Sequence, residues 1–272
     1  MTEKSFETSK GTIRYWVNDL RPGRLSLVFL PGLTADHRLF GRQIEAFEEE
    51  FNVFVWDAPG HAASRPFSQD FSLMDKAAWL RDILLREGIE RPLLIGQSMG
   101  GYVSQCFMQS FPGEAAGFVS IDSAPLSRSY VTDWEIWLLK RTEPMYRAFP
   151  GESLKRFAAR SCSTTEYGRS LMREMLACYT RDEYCRLSAH GMRLLAEAME
   201  ADLPYEPGCP VVLICGDKDR AGSAKSYNRR WAAKEGLPIH WIKGAGHNAN
   251  ADRPDEVNGI IREFAAGLAP RG

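Results

Sequence analysis

Residues 96–101 read Gly96-Gln97-Ser98-Met99-Gly100-Gly101 and follow directly on the apolar run Pro92-Leu93-Leu94-Ile95. A serine set among glycines at the end of such a run fits a sharp strand-to-helix turn, where two backbones pass so closely that Cβ atoms would clash. The turn lifts the serine hydroxyl clear of the sheet, where it can attack a carbonyl. It also demands a scaffold: a buried strand, a helix packed back along it, and neighbours on both sides. A nucleophilic serine further requires a base, an acid and an oxyanion hole.

The scaffold is visible as short apolar, β-branched runs alternating with helical patterns, which predicts a parallel sheet with helices on both faces. The strand candidates are Thr12–Val17, Leu25–Leu30, Asn52–Trp56, Leu93–Ile95, Phe118–Ile121, Val211–Cys215 and Ile239–Ile242. Helical spacing of Leu73, Ala77, Leu80 and Leu84 predicts a helix over Ser72–Glu87, opened by a capping box between Ser72 and Asp75. A last helix is expected over Pro254–Ala266, with Val257, Ile260, Ile261 and Phe264 on one face. Residues 126–204 break the alternation. They carry helical patterning only, rich in Trp, Tyr, Phe and Met, and read as a helical cap inserted into a core made of residues 1–125 and 205–272.

At 272 residues the chain has room for one large α/β domain with an insertion. It contains no apolar stretch long enough to span a bilayer, and the segment Met1-Thr2-Glu3-Lys4-Ser5 lacks the apolar core of a signal peptide, so a soluble, cytoplasmic protein is expected. The six cysteines show no metal-ligand spacing and read as reduced packing residues. A formal net charge of −1 with no basic run offers no footprint for nucleic acid. The expected partner is a small molecule, and no metal or cofactor is called for.

A serine hydroxyl is a poor nucleophile until a base takes its proton, and the usual base is a histidine oriented by a carboxylate. His247 is the best candidate. It lies in Gly244-Ala245-Gly246-His247-Asn248, between the last predicted strand and the last helix. His61, His190 and His240 lack such a setting and read as structural. The acid is Asp219, in Gly216-Asp217-Lys218-Asp219, with Asp122 as the alternative. The order Ser98, Asp219, His247 favours Asp219, and its loop follows the strand expected beside the histidine strand. The oxyanion hole needs two converging backbone N–H groups. Met99, next to the nucleophile, should supply one, and Leu33, in Leu30-Pro31-Gly32-Leu33-Thr34, the other.

Together, Leu30-Pro31-Gly32-Leu33, Asp57-Ala58-Pro59-Gly60-His61, Gly96-Gln97-Ser98-Met99-Gly100-Gly101, Gly216-Asp217-Lys218-Asp219 and Gly246-His247 resemble the α/β-hydrolase superfamily along nearly the whole chain. The resemblance implies an α/β-hydrolase fold with an eight-stranded, mostly parallel sheet, a Ser-His-Asp triad and a helical lid after the sixth strand. The eighth strand is then expected near Ser5–Thr8. The chain departs from the common pattern at Pro31 and Gln97, where many relatives have histidine. Haloalkane dehalogenases and epoxide hydrolases of the superfamily carry aspartate at the position of Ser98, so those activities are not expected.

On the substrate side, Tyr130, Trp134, Trp137 and His37 are the candidate contacts, drawn from an aromatic-rich cap that also contains Met145, Tyr146, Phe149, Phe157, Met172, Met175 and Tyr179. Arg38 and Arg128 read first as surface residues. The leading expectation is a serine hydrolase acting through an acyl-enzyme on a small, largely apolar ester or related acyl compound. The alternatives are carbon–carbon bond cleavage or a lyase-type reaction with the same triad, a small-ligand receptor on the same fold, and, further off, a cofactor-free oxygenase using the His–Asp pair.

Overall fold

The computed structural model describes residues 1–268. Its strands are β1 (Thr2–Thr8), β2 (Gly11–Val17), β3 (Ser26–Leu30), β4 (Asn52–Trp56), β5 (Leu93–Gln97), β6 (Gly117–Ile121), β7 (Val211–Gly216) and β8 (Ile239–Ile242). They form one sheet in the order β1-β2-β4-β3-β5-β6-β7-β8. β1 and β2 pair antiparallel, as do β2 and β4, and every later pair is parallel. The strand expected near Ser5–Thr8 is present and starts earlier, because the hairpin with β2 pairs every residue from Thr2 to Thr8.

The helices are α1 (Gly41–Phe47), α2 (Leu73–Arg86), α3 (Met99–Ser110), α4 (Asp133–Leu139), α5 (Glu143–Ala148), α6 (Gly151–Cys162), α7 (Glu166–Ala177), α8 (Arg181–Glu200), α9 (Ala224–Glu235), α10 (Ala249–Asp252) and α11 (Pro254–Leu268). The capping box of α2 forms as its sequence suggests: Asp75 N–H donates to Ser72 Oγ at 3.1 Å, and Ser72 N–H donates back to Asp75 at 2.7 Å.

Period-two alternation divides the strand residues between two cores, one on each face of the sheet. Val28, Leu30, Phe54, Trp56, Leu94 and Leu213 face one side, where they pack with Leu80 and Leu84 of α2, Val103 and Phe107 of α3 and Trp231 of α9. Leu27, Phe29, Val53, Val55, Ile95 and Ile214 face the other, against Phe47 of α1 and Val257 and Ile261 of α11. Strands buried on both faces must be apolar throughout, which is why they read as continuous runs. Between β6 and β7 the described residues form helices and turns without a strand.

In an open parallel sheet the loops at the carboxyl ends of the strands converge on one edge. Leu33 follows β3, Ser98 follows β5, Asp122 follows β6, Asp219 follows β7 and His247 follows β8. The fold thus gathers residues that are far apart in sequence at one edge.

Of the six cysteines, Cys106, Cys185 and Cys215 are buried, and none forms a disulfide. Cys178 departs from the packing role expected of it and is exposed, since it lies just past the end of α7.

Candidate active site

Ser98 sits at φ 50° and ψ −116°, between the last residue of β5 and the first of α3. A non-glycine residue there carries strain of about 1–3 kcal/mol, which the surrounding packing must hold. The packing leaves no alternative: a Cβ on Gly100 would stand 1.8 Å from the carbonyl oxygen of Leu30. Glycine at that position lets α3 pass directly over β3.

His247 Nδ1 donates to Asp219 Oδ2 at 3.0 Å, and Nε2 lies 2.8 Å from Ser98 Oγ. An ionised carboxylate only accepts, so this bond places the ring proton on Nδ1 and leaves Nε2 free to accept from the serine hydroxyl. Asp219 is fixed in turn by the N–H of Ala221, at 2.8 Å from its other oxygen. Burial disfavours the charged form of His247. The charge of Asp219, its hydrogen bond and the charge of Asp122 outweigh burial and raise the imidazole above its ordinary pKa of 6.5.

Asp122 takes a different place. Its two oxygens accept from Gly216 N–H at 2.7 Å and Ala249 N–H at 3.0 Å, tying the end of β7 to the start of α10. Burial, then the charge of Asp219, pushes its carboxyl up to about 8. The carboxylate in contact with the imidazole is that of Asp219.

Met99 follows Ser98 directly, and Leu33 follows Gly32, which lies against Ser98. Met99 opens α3, so its N–H has no carbonyl one turn back to bond. The N–H of Leu33 likewise has no acceptor among the described residues. A Cβ on Gly32 would fall 2.3 Å from Gln97 Oε1 and 3.1 Å from Ser98 Cβ, so only glycine lets the Leu33 loop approach the serine this closely.

Ser98 and His247 open into a cavity of about 160 Å³ whose walls include Leu33, Thr34, Tyr146, Met172, Tyr184, Ser188 and Met192. Among the expected substrate contacts, several lie elsewhere. Trp134 is 64% exposed and Trp137 44% exposed; they stack on each other on the outer side of α4, whose inward residue is Ile136. Tyr130 is buried in the core below, its hydroxyl donating to Glu235 at 3.1 Å. His37 stacks on Trp16 and bonds Asp57 at 2.8 Å, away from the cavity wall. Met145, Phe149 and Phe157 are exposed as well, so of the cap residues named from the sequence Tyr146 and Met172 reach the cavity, joined there by Tyr184 and Met192 of α8. Arg38 pairs with Asp36, and Arg128 with Asp133.

Two residues hold the histidine loop: Gln97, noted in the sequence only as a departure from the common pattern, and Asp252, not singled out there. Gln97 donates its side-chain amide to the carbonyl of His247 at 2.8 Å. Asp252, 4% exposed, accepts from Gly246 N–H at 2.8 Å and from the N–H groups of Thr164 at 2.9 Å and Thr165 at 3.0 Å. The same carboxylate also takes both threonine hydroxyls, at 3.1 and 2.7 Å. The His247 loop is therefore tied to the turn between α6 and α7, and Asn248 N–H adds a bond to Cys162 O at 2.7 Å.

Among the described residues, two groups bring potential metal-donor atoms within 4.8 Å of one another: Asp36, His37 and Asp57, and Asp122, Cys215 and Asp219. In each, the carboxylates already accept protein donors. Asp57 bonds His37 and Ala63, Asp36 bonds Arg38, and Asp122 and Asp219 are engaged as described. Cys162, on the cavity wall, has its thiol pushed up to about 12 by burial and then by the charges of Asp219, Asp122 and Asp252, which leaves it protonated and a poor nucleophile at neutral pH.

A serine, a histidine and a carboxylate joined by hydrogen bonds and carried past the strand ends of a mostly parallel eight-stranded sheet are the arrangement of the α/β-hydrolase architecture. The model of the Alpha/beta hydrolase family matches residues 27–260, and the chain belongs to that family. It is similar to 2-succinyl-6-hydroxy-2,4-cyclohexadiene-1-carboxylate synthase of Citrobacter koseri, at 27% identity over 90% of this chain and 95% of that protein. It is also similar to the 2-hydroxy-6-oxononadienedioate/2-hydroxy-6-oxononatrienedioate hydrolase of Klebsiella pneumoniae, at 24% identity over 94% and 92%. Among solved structures, a thermophilic esterase from Thermogutta terrifontis superposes with a TM-score of 0.77 at 20% identity, covering 98% of this chain and 99% of that one, and shares the fold.

Proposed function

We propose that this chain is a serine hydrolase that cleaves a small carboxylic ester or related acyl compound. The observation that carries the reading is the unbroken hydrogen-bond chain from Ser98 through His247 to Asp219. In this mechanism His247 Nε2 takes the proton of Ser98 as Oγ adds to the substrate carbonyl. The resulting imidazolium is stabilised by Asp219, and the N–H groups of Leu33 and Met99 receive the oxyanion. Collapse of the tetrahedral intermediate expels the alcohol, protonated by His247. Water, activated by the same imidazole, then releases the acid and restores the serine. Residues 126–204 act as a cap that closes the acyl cavity from above.

A second reading, hydrolysis of a carbon–carbon bond by the same triad, draws on the Klebsiella relative. That relative's name specifies a dicarboxylate, whereas the cavity wall here carries no lysine or arginine among the described residues. The ester reading is preferred on that ground.

The test is turnover of p-nitrophenyl butyrate and of a 1,3-diketone by the wild type and by Ser98→Ala, Asp219→Asn and Asp122→Asn. Ester turnover is expected to vanish in Ser98→Ala and to drop about 10³–10⁴-fold in Asp219→Asn. Loss of turnover in Asp122→Asn alone would overturn the assignment of the acid. Cleavage of the diketone without the ester would overturn the substrate class.

A further inference from the structure

Tyr184, Ser188 and Met192 stand four residues apart on α8 and all line the cavity shared by Ser98 and His247. The same helix is pressed onto the oxyanion loop, since a Cβ on Gly191 would meet the Leu33 side chain at 2.4 Å. One stripe of α8 thus forms the wall facing the nucleophile, and its central residue is polar.

A serine buried in a helix ordinarily satisfies its hydroxyl by donating to the carbonyl four residues back. Ser104 of α3 does so, to Gly100 O at 3.0 Å. Ser188 is 2% exposed and its hydroxyl has no partner in good hydrogen-bond geometry, its one side-chain interaction among those described being a loose one with the Tyr184 phenol. Ser120, Ser123 and Ser163 also have buried, unpartnered hydroxyls, but none of those three lines the cavity. A buried hydroxyl without a well-formed bond is costly, so one carried by a residue of the cavity wall is suited to a partner that arrives with the substrate.

The rest of the wall limits what that partner can be. Leu33, Ala35, Ala158, Met172, Met192 and Ala221 are apolar, and the polar lining groups besides the catalytic pair are neutral. A volume of about 160 Å³ takes roughly six to eight non-hydrogen atoms. A carboxylate placed there would lose its water without gaining a cation.

Building on the hydrolase reading, we propose that Ser188 is a specificity-determining residue of an uncharged acyl subsite, which takes a compact acyl group bearing one neutral oxygen, such as a hydroxyl or keto group. Its hydroxyl bonds that oxygen and so fixes the reacting carbonyl over Ser98.

The experiment compares kcat/KM for p-nitrophenyl 3-hydroxybutyrate, p-nitrophenyl butyrate and mono-p-nitrophenyl succinate in the wild type and in Ser188→Ala, with fluorophosphonate labelling of Ser98 measured alongside. The wild type should prefer the hydroxylated ester over the plain one by about tenfold, and the succinate ester should trail the plain ester by about 100-fold. In Ser188→Ala the preference for the hydroxyl should collapse to about one. Labelling and turnover with a ratio that Ser188→Ala leaves unmoved, or with the succinate ester as the best substrate, would overturn the subsite alone. Absence of both labelling and turnover would overturn the chemistry and the subsite together.

Discussion

The amide of Gln97 donates to the carbonyl of His247 at 2.8 Å, so the residue before Ser98 holds the loop of the histidine. The contact joins the ends of β5 and β8, two strands that are not neighbours in the sheet. It fixes the height of the imidazole above Ser98 without touching the reacting atoms.

Gln97→Ala should therefore lower kcat, because the ring is displaced, and change KM to a lesser degree, because Gln97 also lines the cavity. A displacement near 1 Å is worth about 100-fold in rate, so a loss of about 10- to 100-fold is expected from steady-state kinetics on p-nitrophenyl butyrate. A kcat equal to that of the wild type would show that the loop needs no such tie.

Asp252 connects Gly246 to Thr164 and Thr165 through one buried carboxylate. Asp252→Asn places an NH₂ group against N–H donors and leaves some of them unpaired, at a cost of about 2–4 kcal/mol. Calorimetry should show Tm lowered by about 5–10 °C. A Tm within about 1 °C of the wild type would mean that these donors find other partners.

The pH profile follows from the charge on His247. Its imidazole is raised above 6.5, burial opposing and Asp219 prevailing, and it works as a base only when neutral. kcat/KM should thus rise with pH through a midpoint above 6.5. Asp219→Asn should move the residual activity's midpoint downward, since the charge that raises it is gone. A midpoint unchanged by that substitution would contradict the pairing.

Stability at acid pH has a different source. Burial, followed by the nearby charge of Lys76, lowers His61 to about 3 and His190 to about 4. The unfolded chain takes up protons at these histidines near 6.5 while the folded chain does not, so folding loses stability as pH falls from 6.5 toward those lower values. Each histidine contributes a slope of up to about 1.4 kcal/mol per pH unit in that window. Chemical denaturation at pH 7 and pH 5 should show His61→Gln losing less stability than the wild type between the two. Equal losses would place the acid sensitivity elsewhere.

The parts of the fold and site that could be read from the sequence are those with a local physical cause. Glycines around Ser98 report a close backbone crossing, and doubly buried strands must be apolar, so the elbow and the core strands stand out. Asp219 and His247 are readable because each follows a strand in a short loop. Trp134 and Trp137 mislead because α4 has only two turns, too few for a period to show which side faces inward, and aromatic composition does not supply the missing direction. The roles of Gln97 and Asp252 were not legible, since the partner of Gln97 lies 150 residues away and, beyond nearby Gly246, those of Asp252 lie 87 and 88 residues away in the chain. The α8 stripe was different: the spacing of Tyr184, Ser188 and Met192 is plain in the sequence, and only the position of α8 over Leu33 gives it meaning.

The central claim, that Ser98 is a nucleophile activated by His247, is tested most directly by labelling with a fluorophosphonate and locating the adduct by mass spectrometry. The wild type should carry a single adduct, on Ser98, formed at a rate that rises with pH. Ser98→Ala should remain unlabelled, and His247→Ala should label at least about 100-fold more slowly. A wild-type protein that stays unlabelled, or that labels at another residue, would contradict the account.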